Sequence, residues 1–290
     1  MSDTHQNPSG AHAPGYRAIR WNMDWITRPL FGVTLAAVAI GVLFSTPPFF
    51  ATLVVAIGIP AAWEWHRMVS KGRIHHAETA INAVTVALAV AVLLMTRQAW
   101  IALIVLAAGA GVAWRLAASR HAHPLWHAAG ILYLGLPALA LAALRAFEPR
   151  GALVIVGMFL IVWATDSGAL IFGNLIGGPR MAPVLSPSKT WAGTVGGSFT
   201  AAAIFATFIW LLGGSAGVAA MFGFVFSVAA HAGDLFESFV KRRFGIKDSG
   251  SLIPGHGGVL DRMDSTLAAA VVMAVLVFVA GFNPLFGVAA

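Results

Sequence analysis

Asp234, Glu237, Ser238 and Lys241 stand at i, i+3, i+4 and i+7, the spacing that puts four side chains on one face of a helix. Asp261 and Asp264 follow at i and i+3, which is again one face if a helix begins before them. Residues 237–265 hold four acids and five bases in a chain of which only 10% is charged. Clustered carboxylates without cysteine suit a hard cation such as Mg²⁺ rather than zinc. Bases among them point to an anionic substrate, because Mg²⁺ sites usually share their metal with substrate phosphates. Lys241, Arg242, Lys247 and Arg262 would supply the counter-charge, whereas Arg243 could equally snorkel to lipid headgroups. The run 254-PGHGG-258 adds a turn whose main-chain N–H groups could approach phosphate oxygens closely.

A second polar island, 186-SPSKTWAGTVGG-197, contributes Ser186, Lys189 and Thr190. Its hydroxyls either contact the substrate or cap the helix that follows. Asp166 lies inside an apolar run, where a carboxylate costs a few kcal/mol unless paired, hydrated or metal-bound. His231 reads as a packed, hydrogen-bonded histidine, and His66, His75 and His76 as interfacial residues.

The elements that must position these groups are membrane helices. The 290 residues are 59% hydrophobic, with a mean hydropathy of +0.82, more apolar surface than a water-facing domain requires. The fold class expected is an all-α polytopic membrane protein with about nine transmembrane helices. The candidate spans are 29–46, 48–65, 79–96, 98–115, 125–144, 151–173, 191–212, 215–236 and 266–288. Residues 1–28 read as a polar tail ending in an interfacial segment with Trp21 and Trp25, not a cleaved signal peptide. Residues 29–150 form an N-terminal helical region, and 151–290 the catalytic region with its charged loop.

With the N-terminus inside, only Arg97, Arg145 and Arg150 of the 18 Lys and Arg residues fall in outer segments. That asymmetry places the N-terminus and the charged loop in the cytoplasm and the C-terminus outside. It also accounts for the net charge of +7 without nucleic acid. Asp166, Asp234, Asp261 and Asp264 then meet at one depth. The absence of cysteine excludes disulfides and thiolate chemistry.

The pattern Ser238-x-x-Lys241-Arg242, Lys247-Asp248, His256-Gly257-Gly258, Asp261-Arg262-x-Asp264 resembles the signature of the phosphatidate cytidylyltransferases, or CDP-diacylglycerol synthases. GDLFES before it, SPSKTW upstream and DSGA around Asp166 are also similar to that family, so the resemblance covers roughly 160–275. Ser188 departs from it, since relatives often carry a second basic residue there, and so does the long tail before Arg28.

The resemblance implies that CTP and phosphatidic acid yield CDP-diacylglycerol and pyrophosphate in a multi-pass, homodimeric enzyme of the cytoplasmic (inner) membrane. Mg²⁺ is required, in a paired-metal centre to which K⁺ is assigned as second ion. It implies metal ligation by Asp234 and Asp261, and phosphate contacts by Lys189, Lys241, Arg242 and Lys247. The expected catalytic group is therefore Asp234, Asp261, Lys241, Arg242 and Lys247. Ser186, Lys189, Thr190, Ser238, His256, Gly257, Gly258 and Arg262 are expected on the substrate side. Asp166, Asp248 and Asp264 have three open roles: metal ligand, partner of an arginine, or loop anchor.

The chemistry agrees with the resemblance. A phosphate monoester is largely dianionic at neutral pH and needs no strong general base, so His256 is expected to orient the loop or contact phosphate. Two other readings compete. One is another phospholipid-headgroup transferase of the CDP-alcohol phosphotransferase kind, whose D-G-x-x-A-R run this sequence lacks. The other is a cation or lipid transporter, for which polar groups at the midplane and repeated halves would be expected.

Overall fold

In hydrocarbon every backbone N–H and C=O must find its partner within the spanning segment, so apolar runs of this length become helices. A computed structural model describes residues 37–72, 76–120, 122–250, 252, 257–283 and 287–288. Seven helices are long and apolar enough to cross a membrane among these residues: α1 (Pro47–Val69), α2 (His76–Thr96), α3 (Ala99–Ser119), α4 (Pro124–Phe147), α5 (Gly151–Ile176), α6 (Trp191–Leu211) and α7 (Ala216–Arg243). An eighth, α8, runs from Asp264 to Phe278. Prolines open α1 and α4, where a missing N–H leaves no bond unmade. The expected polytopic all-α class is what is found.

Two boundaries differ from expectation, since the eighth span, expected to end at 236, continues as α7 to Arg243, and the ninth is short. The ninth span was expected over 266–288, but α8 has only 15 residues, about 22 Å at 1.5 Å per residue. Phe282–Asn283 then pairs antiparallel with Gly287–Val288, after Gly281 has taken a positive φ of 65°. The polar island is not simply the start of a helix either. Arg180–Ala182 (β1) and Ser186–Thr190 (β2) form a short antiparallel hairpin, and α6 begins at Trp191. The tail 1–28, with Trp21 and Trp25, lies outside the described residues, as does the first span up to residue 36. Residues 37–43 are helical.

Two packing arrangements carry the site. Helices α5 and α6 lie almost backbone to backbone: a side chain at Gly197 would meet the Thr165 carbonyl at 2.5 Å. Small residues allow that approach, and dispersion and close contact, not the hydrophobic effect, hold helices together in lipid. Elsewhere Ala61, Trp65, Leu134, Val240, Leu260 and Leu267 form one buried cluster. It joins α1, α4, α7 and α8 beneath the loop that precedes α8.

Candidate active site

Helix α7 runs past the apolar zone into a charged last turn, Lys241–Arg243. On its expected face Ser238 Oγ lies 3.5 Å from Asp234 Oδ1. Lys241 Nζ is 3.2 Å from Glu237 Oε1. The face then reaches other elements: Lys189 of β2 pairs with Asp234, and Lys241 with Asp261 at 2.9 Å. The hairpin is also tied to the end of α7 by Arg242, whose Nε donates to the Leu185 carbonyl at 3.3 Å.

Gly233 explains how acids from α7 and α8 come so near. A Cβ there would meet Ala268 Cβ at 2.6 Å and the Asp264 carbonyl at 2.7 Å. The carboxylates of Asp166, Asp234 and Asp264 are close enough to repel one another, and Lys189 attracts Asp166. Glu237 likewise feels Asp261 and Asp264. Asp166 is exposed, whereas Glu237 is fully buried. Both Glu237 carboxylate oxygens lack a hydrogen-bond donor, Lys241 being near without bonding geometry.

Asp261 and Asp264 would share a face only if a helix began before them, and α8 begins at Asp264, so only Asp264 belongs to it. Asp261 sits in the 3-10 turn Leu260–Arg262 just before it. That turn frees Asp261 to accept from the loop: from the Ser249 N–H at 3.1 and 3.0 Å, and from the Gly258 N–H at 3.1 Å. Burial pushes the Asp261 carboxyl up, but these bonds and the Lys241 ammonium outweigh it and hold the group below the ordinary carboxylate range. Asp264 instead accepts from the Ser265 N–H at 2.7 Å, at the positive end of α8.

The remaining expected residues divide by position. Thr190 is buried and caps α6, accepting from the Gly193 N–H at 3.1 Å. Ser186 opens β2 opposite Ala182. Lys247, Asp248 and Arg262 are exposed around the loop. Gly257 takes a positive φ of 84°. His256 lies outside the described residues, as does His75. His231 is buried against the Thr194 carbonyl at 3.3 Å, the packed histidine expected.

His66, in the last turn of α1, faces the interior of the protein. It is fully buried, with its Nδ1 2.8 Å from His127 Nδ1 and its Nε2 3.2 Å from Asn82 Nδ2. Packing of α1 against α2 and α4 puts it inside. Glu64 was not anticipated. It lies in α1, fully buried, yet bonds the loop before α8 from the other half of the chain. An acid inside an apolar run, in AAWEWHR, was the signal that could have found it. Tyr133 was missed too. Its hydroxyl is buried without a partner within electrostatic range of Glu237, Asp264 and Asp234.

Residues 26–280 match the model of the cytidylyltransferase family. A phosphatidate cytidylyltransferase of Brucella suis is 48% identical over 151 residues, covering 51% of this chain and 55% of that protein. One of Staphylococcus aureus (strain COL) is 43% identical over 130 residues, 41% of this chain and 47% of its own. The chain thus aligns with about half the length of the curated relatives it matches.

Proposed function

Because the chain belongs to the cytidylyltransferase family, we propose that it makes CDP-diacylglycerol and pyrophosphate from CTP and phosphatidic acid, at the cytoplasmic face of the inner membrane. The observation that carries this reading is the clustering of Lys189, Lys241 and five acids where a β-hairpin, α5, the end of α7 and the start of α8 meet. In the reaction a phosphatidate oxygen bonds to the α-phosphorus of CTP. The bond from that phosphorus to the β-phosphate bridge breaks, and pyrophosphate leaves with its electron pair. No proton need be taken from the dianionic nucleophile. The difficulty is bringing polyanions together, and fixed cations overcome it by positioning and electrostatic stabilisation.

Lys189 and Lys241 fit that task because each is already held by an acid, Asp234 or Asp261. Arg242 and Lys247, exposed beyond them, extend the positive rim towards the triphosphate. The lipid's acyl chains stay in the bilayer while its headgroup enters from the side.

The donor chemistry also fits Mg²⁺. Five carboxylates outnumber the two lysines that pair with them, and the Glu237 oxygens accept no hydrogen bond. Among the described residues no three acidic or histidine side chains form a ready-made cage. An ion held by one or two carboxylates and completed by substrate phosphates requires none. Asp234 and Asp261 would hold it, with Asp166 and Asp264 nearby, and K⁺ as the second ion of a homodimeric enzyme. Bound Mg²⁺ supplies neutralisation of phosphate charge.

The test is purified protein with radiolabelled CTP and phosphatidic acid. Mg²⁺-dependent pyrophosphate release is expected, lost at least about a hundredfold in Asp234→Asn and Asp261→Asn. Full activity in either variant would remove the metal assignment. No turnover with CTP, together with ion or lipid movement in vesicles, would replace the reading by a transporter.

A further inference from the structure

The loop that carries the signature residues is fastened at one point to a helix remote in sequence. Glu64 of α1 accepts three hydrogen bonds from it. The Val259 N–H reaches Oε1 at 3.1 Å, and the Leu260 N–H and Ser249 hydroxyl reach Oε2 at 2.8 and 3.1 Å. The oxygens of a fully buried carboxyl group need hydrogen-bond donors, and the loop provides them to Glu64. Ser249 faces both ways: its hydroxyl goes to Glu64, and its N–H to both oxygens of Asp261. Gly258 likewise donates to Asp261 while its α-carbon lies against Glu64; a Cβ there would meet Glu64 Oε2 at 2.7 Å and Ser249 Oγ at 2.1 Å. Gly250 is held just as closely, since a side chain there would overlap Glu64 Oε1.

Two carboxylates therefore share two short stretches of backbone, 249–250 and 258–260, Glu64 behind them and Asp261 before them. We infer that Glu64 is a positioning residue: it presents Asp261, and through it Lys241, to the reacting phosphates by holding Ser249 and the turn 258–260 in place. This gives the glycine at 258 a second reason to be there. Its N–H is bound to Asp261, and its missing side chain leaves room for the buried acid. Glu64 itself touches no substrate in this scheme. The inference rests on the cytidylyltransferase reading for its kinetic consequence, but not for its structural one.

The experiment uses both. Since the chain has no cysteine, Leu252→Cys on the loop, 46% exposed, takes a single nitroxide label. Glu64→Gln keeps the volume but turns one acceptor into a donor that faces N–H and O–H groups. Its labelled form should gain a mobile spectral component absent from the parent. Its kcat should fall at least about tenfold, as misplacement of a reacting group predicts, with KM for phosphatidic acid within about twofold. Ser249→Ala, which loses one of the three bonds, should shift both readouts in the same direction by less. Glu64→Asp should recover part of the rate.

An unchanged spectrum overturns the inference, even if the rate falls, because Glu64 would then act by another route. So does a mobile loop with full kcat. If the parent protein releases no pyrophosphate from CTP, the function reading fails while the spectra still decide whether Glu64 holds the loop. If Glu64→Gln cannot be purified folded, Ser249→Ala carries both readouts alone.

Discussion

Lys241 sits between two acids of different standing, Asp261 with its several donors and Glu237 with none. Removing the ammonium would leave the fully buried Glu237 carboxyl without its polar neighbour, and an unsatisfied buried polar group costs about 1–3 kcal/mol. Lys241→Met is therefore expected to lower the thermal midpoint of the detergent-solubilised protein markedly. Adding Glu237→Leu should restore much of that stability without restoring turnover, because the unsatisfied buried polar group is gone while the cation remains absent. Single and double variants compared in one melting series read the coupling directly. At this scale the sequence was most informative where charge is rare. The i, i+3, i+4, i+7 face of α7 and the pairing of bases with acids were visible because almost everything around them is apolar. Glu64, Tyr133 and the buried His66–His127 contact were not, since each depends on which helix lies next to which, and spacing along one helix says nothing of that.

The elements meet at the site through close backbone approach, and this can be tested separately from the chemistry. Gly233 lies one residue from Asp234 on α7 and against Ala268 and Asp264 of α8. Both neighbours it would strike are short or main chain, so neither can swing aside, and overpacking of this kind costs typically 1–3 kcal/mol. Gly233→Ala should push the start of α8 away from α7 and reduce pyrophosphate release at least about tenfold. Gly217→Ala, on the same helix where a methyl group would have nothing within 4 Å, should leave rate and melting point unchanged. Equal losses in both would show that Gly233 has no particular place in the packing of α7 on α8. Six of the seven helices could be read from hydropathy to within about four residues, because length and apolarity are set by the bilayer itself. Helix α7 continues seven residues past the expected 236 because its last two turns are charged. The β1–β2 hairpin could not. Its five-residue second strand is polar and ends in a cap, so it reads as the start of α6 until the antiparallel pairing with Arg180–Ala182 is seen.

Across the whole molecule, contacts between remote segments sort the basic residues by end. Successive antiparallel helices bring the end of α1, the α5–α6 connection and the end of α7 to one side, and there Glu64 meets the loop and Lys189 meets Asp234. The α3 end is on that side too, where Arg120 pairs with the fully buried Glu78 at the start of α2. At the other side Arg145, near the end of α4, donates to the carbonyls of Leu43 and Ser45. Arg97 at the α2–α3 turn shares that side. The crowded end thus carries most of the Lys and Arg residues and the sparse end few, the division expected between cytoplasmic and external surfaces. A cysteine-free chain makes the consequence measurable. Lys247→Cys should react with a membrane-impermeant maleimide only in inside-out vesicles, and Arg97→Cys only in intact right-side-out cells. Reversed labelling would put the acids on the outer surface, away from cytoplasmic nucleotide, and would overturn both the orientation and the choice of CTP as donor. Labelling of both from one side would contradict the antiparallel helix order on which the site is built.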